Sequence, residues 1–261
     1  MNSSFGFVAL LDALGSKTAS LKEAELYLQN IRDIKEAVTR TIEVNFDVTP
    51  LKSGAMSDVS CRLFGDSVLL THSISDPDDE FRVFEHLAYV IRRFINVALE
   101  KGLLFRGSIS LGEFVNEDEI VLGPAISDAA AWYEQLDSVG VLCTPQATMA
   151  LKSILRKEYA GGDPINGYAT WMDVILEVPK LKCGLDLELF VVNWLSVSRH
   201  HTRGNGTLDE WFYKIMRSFP IPPGTESKFK NTEEFVLRTL ASRHWEFMNR
   251  GVLTGPAANP D

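Results

Sequence analysis

The apolar positions of this chain switch between strand-like runs and helical spacing. Gly6 to Leu11 is an apolar run that predicts a first strand. After Ser20, a candidate cap, Leu21, Ala24, Leu28, Ile31, Ile34 and Val38 recur at helical spacing and predict a helix to about Val44. A polar stretch around Thr49 to Ser57, with Pro50 and Gly54, ends that unit. Asp58 to Phe64 and Ser67 to Ser73 then predict two strands joined by a tight turn at Gly65-Asp66. Asp76-Pro77 opens a second helix, with Phe81, Phe84, Leu87, Ile91, Ile95 and Ala98 on its apolar side. Gly102 is placed to end it.

Beyond Gly102 the pattern predicts a strand from Leu103 to Gly112, a short strand near Ile120 and a helix from about Pro124 to Leu136. Val139 to Cys143 and Leu187 to Trp194 read as later strands. The order β-α-β-β-α-β-β-α-β predicts an α+β fold, a mixed sheet with helices packed on it. From Ser196 the composition shifts to a loop with His200, His201, Gly204 and Gly206. Two amphipathic segments follow, Leu208 to Phe219 and Thr232 to Asn249, separated by a Pro-rich turn from Pro220 to Gly224. This part, residues 196–261, is expected to be a helical extension of a domain spanning residues 1–195.

Composition narrows the function classes. The 261 residues are 45% hydrophobic and 23% charged, as in ordinary globular chains. A net charge of −9 argues against a nucleic-acid polymer or an anionic membrane surface as partner. The three cysteines, Cys61, Cys143 and Cys183, have no CxxC spacing and fit reduced thiols in a cytoplasmic setting. No signal-peptide pattern is visible, and the longest apolar stretch, Phe84 to Leu99, is broken by Arg92 and Arg93. It is too polar to span a bilayer.

The candidate chemistry rests on two aspartates. Asp12 ends the first apolar run, and Asp66 sits in the Gly65-Asp66 turn between two others. An unpaired carboxylate buried beside such strands is costly, so a cation is its natural partner. Two carboxylates converging from neighbouring strands suit a pair of magnesium or manganese ions on a triphosphate. Taken singly, either residue is also explained by a helix cap or a turn. The His200-His201 pair lacks a metal-ligand pattern, and Asp76 to Glu80 is an acidic helix start that complements the macrodipole.

Several segments together resemble the class III nucleotidyl cyclase catalytic domain, most closely the pyrimidine cyclases of Pycsar anti-phage systems. Ala9-Leu-Leu-Asp12-Ala-Leu-Gly15 keeps the Asp and Gly of the family's first metal segment but lacks its Phe. Gly65-Asp66 matches the hairpin, and Phe105-Arg106-Gly-Ser-Ile-Ser-Leu-Gly112 is similar to the family's Arg-x-Gly-Ile strand. Gly123-Pro-Ala-Ile-Ser-Asp-Ala-Ala129 is similar to the Gly-x-x-Val-Asn helix start. Pro179-Lys-Leu-Lys182-Cys-Gly184 through Val191-Val-Asn-Trp194 looks like the terminal strand. The likeness spans roughly Phe5 to Trp194, in the family's order.

That resemblance implies a palm- or ferredoxin-like core with a mainly antiparallel sheet. It also implies a head-to-tail homodimer with active sites at the interface. Asp12 and Asp66 would hold two divalent ions, Mn²⁺ or Mg²⁺, with the Ala13 carbonyl completing a shell. The backbone of the turn Gly15-Ser16-Lys17 would offer phosphate contacts, with the Lys17 charge either added to them or solvated in the loop. Arg106 would contact the triphosphate, or pair a structural carboxylate such as Glu113. Lys182 lies one residue from the family's phosphate lysine, whose place is taken by Cys183, with Lys180 as competitor.

Arg62 stands four residues before Asp66, at the position that reads the base in purine cyclases. A guanidinium only donates, which suits the O4 acceptor of uracil better than the N4 donor of cytosine. Arg62 could instead cover the sheet edge with its stem. The second base-reading position corresponds to Ile120, which offers adenine no acceptor. The transition-state asparagine and arginine, contributed by the partner subunit, align with Ser127 and Ala131. The leading expectation is therefore conversion of UTP to 3′,5′-cyclic UMP, a messenger for a separate effector, with CTP the rival substrate. A non-catalytic nucleotide sensor with the same fold, or another palm-like phosphoryl-transfer enzyme, is the competing class.

Overall fold

The computed structural model describes residues 3–14, 20–44, 59–117, 120–158, 174–195, 208–217, 219, 221 and 224–241. The strands within them are β1 (Ser3–Ala13), β2 (Val59–Phe64), β3 (Ser67–Ser73), β4 (Phe105–Glu117), β5 (Ile120–Leu122), β6 (Gly140–Cys143), β7 (Val174–Glu177) and β8 (Leu189–Val192). The helices are α1 (Leu21–Val44), α2 (Glu80–Glu100), α3 (Pro124–Trp132), α4 (Pro145–Glu158), α5 (Leu208–Met216) and α6 (Glu226–Ala241). One sheet of order β2-β3-β1-β4-β6-β8-β7 forms, with β5 hairpinned onto β4. Its pairs are antiparallel except β4 with β6. The α+β class and the mixed, mainly antiparallel sheet expected from the sequence are what the chain adopts.

Side-chain alternation on β1 divides the interior in two. Phe7, Ala9, Leu11 and Ala13 join the large core with Ile31 and Ile34 of α1, Phe84 and Ile91 of α2, and Leu151 of α4. Val8 and Leu10 face the other way, into a small cluster with Leu69, Phe114, Ala125 and Ala129 beneath α3. Each large apolar side chain fully buried contributes about 1.5–3 kcal/mol, so stability rests mainly on the helix-covered face. The second face is only partly covered, and the polar residues sit there.

Local signals explain most element ends. The Asp76 side chain accepts from the Asp78 N–H at 2.9 Å, starting a 3₁₀ turn, Pro77–Asp79, that leads into α2. Gly102 adopts φ +76°, with its N–H on Leu99 at 3.1 Å and that of Leu103 on Ala98 at 2.8 Å. This pair of bonds is the Schellman ending of α2.

Several expectations change. Leu21 and Leu28 are exposed at 80% and 47%, and Tyr27 packs on the core in their place. Ile31, Ile34 and Val38 are buried as anticipated, so the inward stripe of α1 is 27, 31, 34 and 38, with Tyr27 in the place expected of Leu28. Strand β1 reaches Ala13 instead of stopping at Leu11, and β4 runs on to Glu117 because the β5 hairpin pairs with it. Helix α3 stops at Trp132, since Leu136 bridges Leu181 as extended chain. Helix α4 and strand β7 were not anticipated, and α6 begins at Glu226, ahead of Thr232.

The C-terminal helices share the large core through Phe212, Phe235 and Val236. Trp194 is fully buried, with ring centroids 6.4 Å from Phe212 and 6.2 Å from Phe235. Its carbonyl accepts from Asn96 Nδ2 at 2.6 Å. Helix α6 is also fastened by polar bonds: Thr232 Oγ1 accepts from the Val139 N–H at 2.8 Å, and Asn231 Nδ2 donates to the Asp137 carbonyl at 2.9 Å. Among the described residues no helix is long and apolar enough to cross a membrane. Thr232→Val should strand the buried Val139 N–H and cost about 1–3 kcal/mol. Urea unfolding should show a lower midpoint with an unchanged slope.

Candidate functional site

Asp12 lies on the half-covered face, at the end of the central strand β1, and is 7% exposed. The sheet register sets it opposite Ser67 of β3 and Arg106 of β4. Directly opposed residues share a face, so these side chains meet. Arg106 Nη2 donates to Asp12 Oδ2 at 3.4 Å, and Ser67 Oγ donates to Oδ1 at 3.4 Å. Despite both contacts the Asp12 carboxyl is held above its ordinary range, first by burial and then by the charge of Asp66.

Asp66 is brought there by the β2–β3 turn, which Gly65 allows at φ +60°. The Asp66 carbonyl accepts from the Ala13 N–H at 3.1 Å and from the Tyr27 hydroxyl at 3.3 Å. Turn, strand end and helix α1 are therefore locked together. The Tyr27 hydroxyl is pushed up by burial and then by Asp66 and Asp12, which keeps it a neutral donor. Tyr27 was missed in the sequence, although its spacing to Ile31 and Ile34 marks it as inward-facing.

Arg106 carries the other half of the site. It is 6% exposed, its Nη1 donates to the Glu134 carbonyl at 3.3 Å, and its guanidinium lies 5.6 Å over the Tyr133 ring. Its Nη2 is also 3.9 Å from Glu134 Oε1. The suggested pairing with Glu113 is not formed, because Glu113 is exposed on the opposite side of β4. Arg106 Nε is buried and lacks a hydrogen-bond partner among the described residues.

The loop after α3 gathers further cations. Lys182 N–H donates to the Gln135 carbonyl at 2.8 Å, and the Asp137 N–H donates to the Lys180 carbonyl at 2.9 Å. Burial lowers the Lys182 ammonium pKa, and the charges of Arg106 and Lys228 lower it further. Lys182 is thus placed with Arg106, and Lys228 of α6 is a cation that sequence reasoning did not connect to them.

The remaining candidates are distributed differently. Arg62 lies on the same face, in the row Arg62, Leu69, Leu10, Ser108, next to the row holding Asp12. Its Nη2 donates to Asn116 Oδ1. Ile120 is 60% exposed on β5. Ser127 is exposed on α3 and its hydroxyl donates to the Gly123 carbonyl at 3.2 Å; Ala131 is exposed as well. Gly15, Ser16 and Lys17 lie outside the described residues, as do His200 and His201.

The donor set fits a hard divalent cation. Among the described residues no three His, Cys, Asp or Glu side chains gather into a closed metal cage. Two carboxylates that repel each other match ions that keep water and phosphate oxygens in their shell.

No protein-family profile matches the chain, and no curated protein sequence matches it either. Solved structures do. A bacterial light-regulated adenylyl cyclase is similar at 13% identity and TM-score 0.38, over 82% of this chain and 100% of that one. A guanylyl cyclase is similar at 11% identity and TM-score 0.41, over 73% and 91%. An adenylate/guanylate cyclase/hydrolase from Silicibacter pomeroyi is similar at 16% identity and TM-score 0.32, over 73% and 96%. At such identities and scores the likeness assigns neither residues nor activity.

A raised Asp12 pKa means that its charge opposes folding. Below the ordinary value of 3.8 the folded and unfolded chains both carry the proton and no penalty exists. The penalty grows as pH rises from 3.8 toward the folded-state value and is complete above it. Asp12→Asn should therefore melt higher than the parent at pH 7 in chelator, the gap closing on acidification toward pH 4. A lower melting point at pH 7 would contradict this account of the site.

Proposed function

We propose that this protein is a metal-dependent nucleotidyl cyclase that converts UTP to 3′,5′-cyclic UMP and diphosphate. The observation that carries the reading is the meeting of Asp12 and Asp66 beside the buried Arg106 guanidinium. Asp12, Asp66 and the Ala13 carbonyl would hold two Mg²⁺ or Mn²⁺ ions. When bound, these ions supply Lewis acidity toward the ribose 3′-hydroxyl and screen the charge of the leaving diphosphate.

The protein's own residues do the rest. Arg106 and Lys182 approach from the side of the loop after α3 and would take the polyphosphate, with Lys17 and the Gly15-Ser16 backbone as further contacts. So held, the 3′-oxygen would attack the α-phosphorus, its proton passing to solvent water, while the bond from the α-phosphorus to the bridging oxygen breaks and diphosphate leaves. Arg62 lies two strands and two residues from Asp12, on the order of 12 Å across the sheet, on the same face. That separation leaves room for a nucleoside between metal end and base end. A donor-only reader there favours the uracil O4 acceptor over the cytosine amino group. Ile120 pairs with Glu117 and so lies on the other face of the sheet from Arg62 and Asn116; Val121 takes its place on their face, so Ile120 is not assigned to the base pocket.

The incomplete half is the partner's. Ser127, from a second copy, would add a hydroxyl to the site in a head-to-tail homodimer. Phe64 at 48%, Ile120 at 60% and Leu122 at 53% exposure are apolar residues that such a partner would cover. The product would act as a messenger read by a separate effector, in anti-phage defence. A second reading has one specific observation in its favour. Ser127 spends its hydroxyl on its own helix, and Ala131 carries no charge, so the fold could bind a nucleotide without turning it over.

Incubation of the purified protein with each of the four NTPs and Mn²⁺ or Mg²⁺, followed by mass spectrometry, should yield cyclic UMP as main product. Cyclic CMP would reverse the base assignment, and NTP binding without product would favour the sensor. Asp66→Asn should lower turnover roughly a hundredfold or more. Unchanged turnover in that variant would refute the metal assignment.

A further inference from the structure

Arg62 does not stand alone on the face. Its Nη2 donates to Asn116 Oδ1, and Asn116 Nδ2 donates to Thr71 Oγ1 at 3.3 Å. The three residues come from β2, β4 and β3, so the relay crosses the sheet. Thr71 is 3% exposed and anchors the inner end, while Arg62 is half-buried at the outer end. Asn116 occupies the part of β4 that pairs with β5, opposite Val121, in the same hairpin that carries the exposed Ile120.

We infer that Asn116 is a positioning residue that aims Arg62 at the nucleobase, and that the Thr71–Asn116–Arg62 relay sets uracil over cytosine. The inference rests on the proposed cyclase reading and extends it to the source of selectivity. Turning the Asn116 amide over would set its NH₂ against the guanidinium donors, so the charge of Arg62 fixes the amide orientation. The amide oxygen is the acceptor in the relay that could otherwise receive the cytosine amino group. A guanidinium forms the stronger, charge-assisted bond to it and holds it against a neutral N4 donor. The base therefore meets a fork of donors, and it meets that fork in one place because Asn116 holds it. Ile120, the position expected to read the base from this hairpin, has no polar atom for the task.

The test measures kcat and KM for UTP and CTP in the parent protein and in Asn116→Ala, Asn116→Asp and Arg62→Ala. Asn116→Ala should raise KM for UTP and lower kcat/KM roughly ten- to hundredfold, with CTP much less affected and kcat largely kept. Asn116→Asp keeps an acceptor for the guanidinium and should restore the UTP preference. Arg62→Ala exposes the Asn116 oxygen and should move the preference toward CTP. An unchanged UTP-to-CTP ratio in folded Asn116→Ala would overturn the inference, as would failure of Asn116→Asp to restore it. If the parent makes no cyclic product, the cyclase reading has failed by itself. Calorimetric binding of UTP and CTP with Mn²⁺ to the same variants then decides the relay, with the same shift in ratio expected.

Discussion

The ion pair between Asp12 and Arg106 is the constraint around which the open face is organised. A carboxylate at the end of a central strand is far from water on most sides, and the strand register sets an arginine directly opposite it. Removing the arginine from this pair would leave Asp12 buried beside Asp66 without its counter-charge, typically at a cost of about 3–5 kcal/mol. Arg106 is in turn braced by the Glu134 carbonyl, whose loop receives the Lys182 segment and helix α6. The acidic and basic halves are thereby joined through one side chain. The turn carrying Asp66 is bound to the same strand end by the Ala13 amide.

This arrangement carries a cost in stability. Two carboxylates are held near one another in partial burial, and the proton affinity of Asp12 rises as a result. The large core, with Phe84, Ile91, Trp194 and the helices around them, supplies the reserve that tolerates this strain. The small cluster under α3 contributes less and leaves the face open, where the polar residues of β1, β3 and β4 can be reached.

Much of the fold could be read along the chain because its causes are local. The Gly65-Asp66 turn, the Asp76-Pro77 helix start and the Gly102 helix end each depend on a few adjacent residues with restricted backbone preferences. The apolar side of α2 followed from spacing alone. The first turns of α1 did not, since Tyr27 and Leu28 are both plausible inward residues and only the neighbouring turn, whose carbonyl accepts from Tyr27, separates them. Strand β7 is short, and the edge pairing that makes it a strand comes from β8. Its partner in space is absent from its own pattern.

By itself the sequence determined the order of most elements and singled out Asp12, Asp66 and Arg62 as candidate site residues. These are properties of residue type and near-neighbour spacing. The tertiary structure alone decided what each charge touches. Arg106 faces Asp12 and not Glu113, Lys182 lies with Arg106, and Arg62 is held by Asn116, 54 positions away in the chain. Such pairings depend on strand register and on the curl of the β4–β5 hairpin. Long-range geometry fixes those through burial of both sheet faces at once, and no short window of residues encodes it.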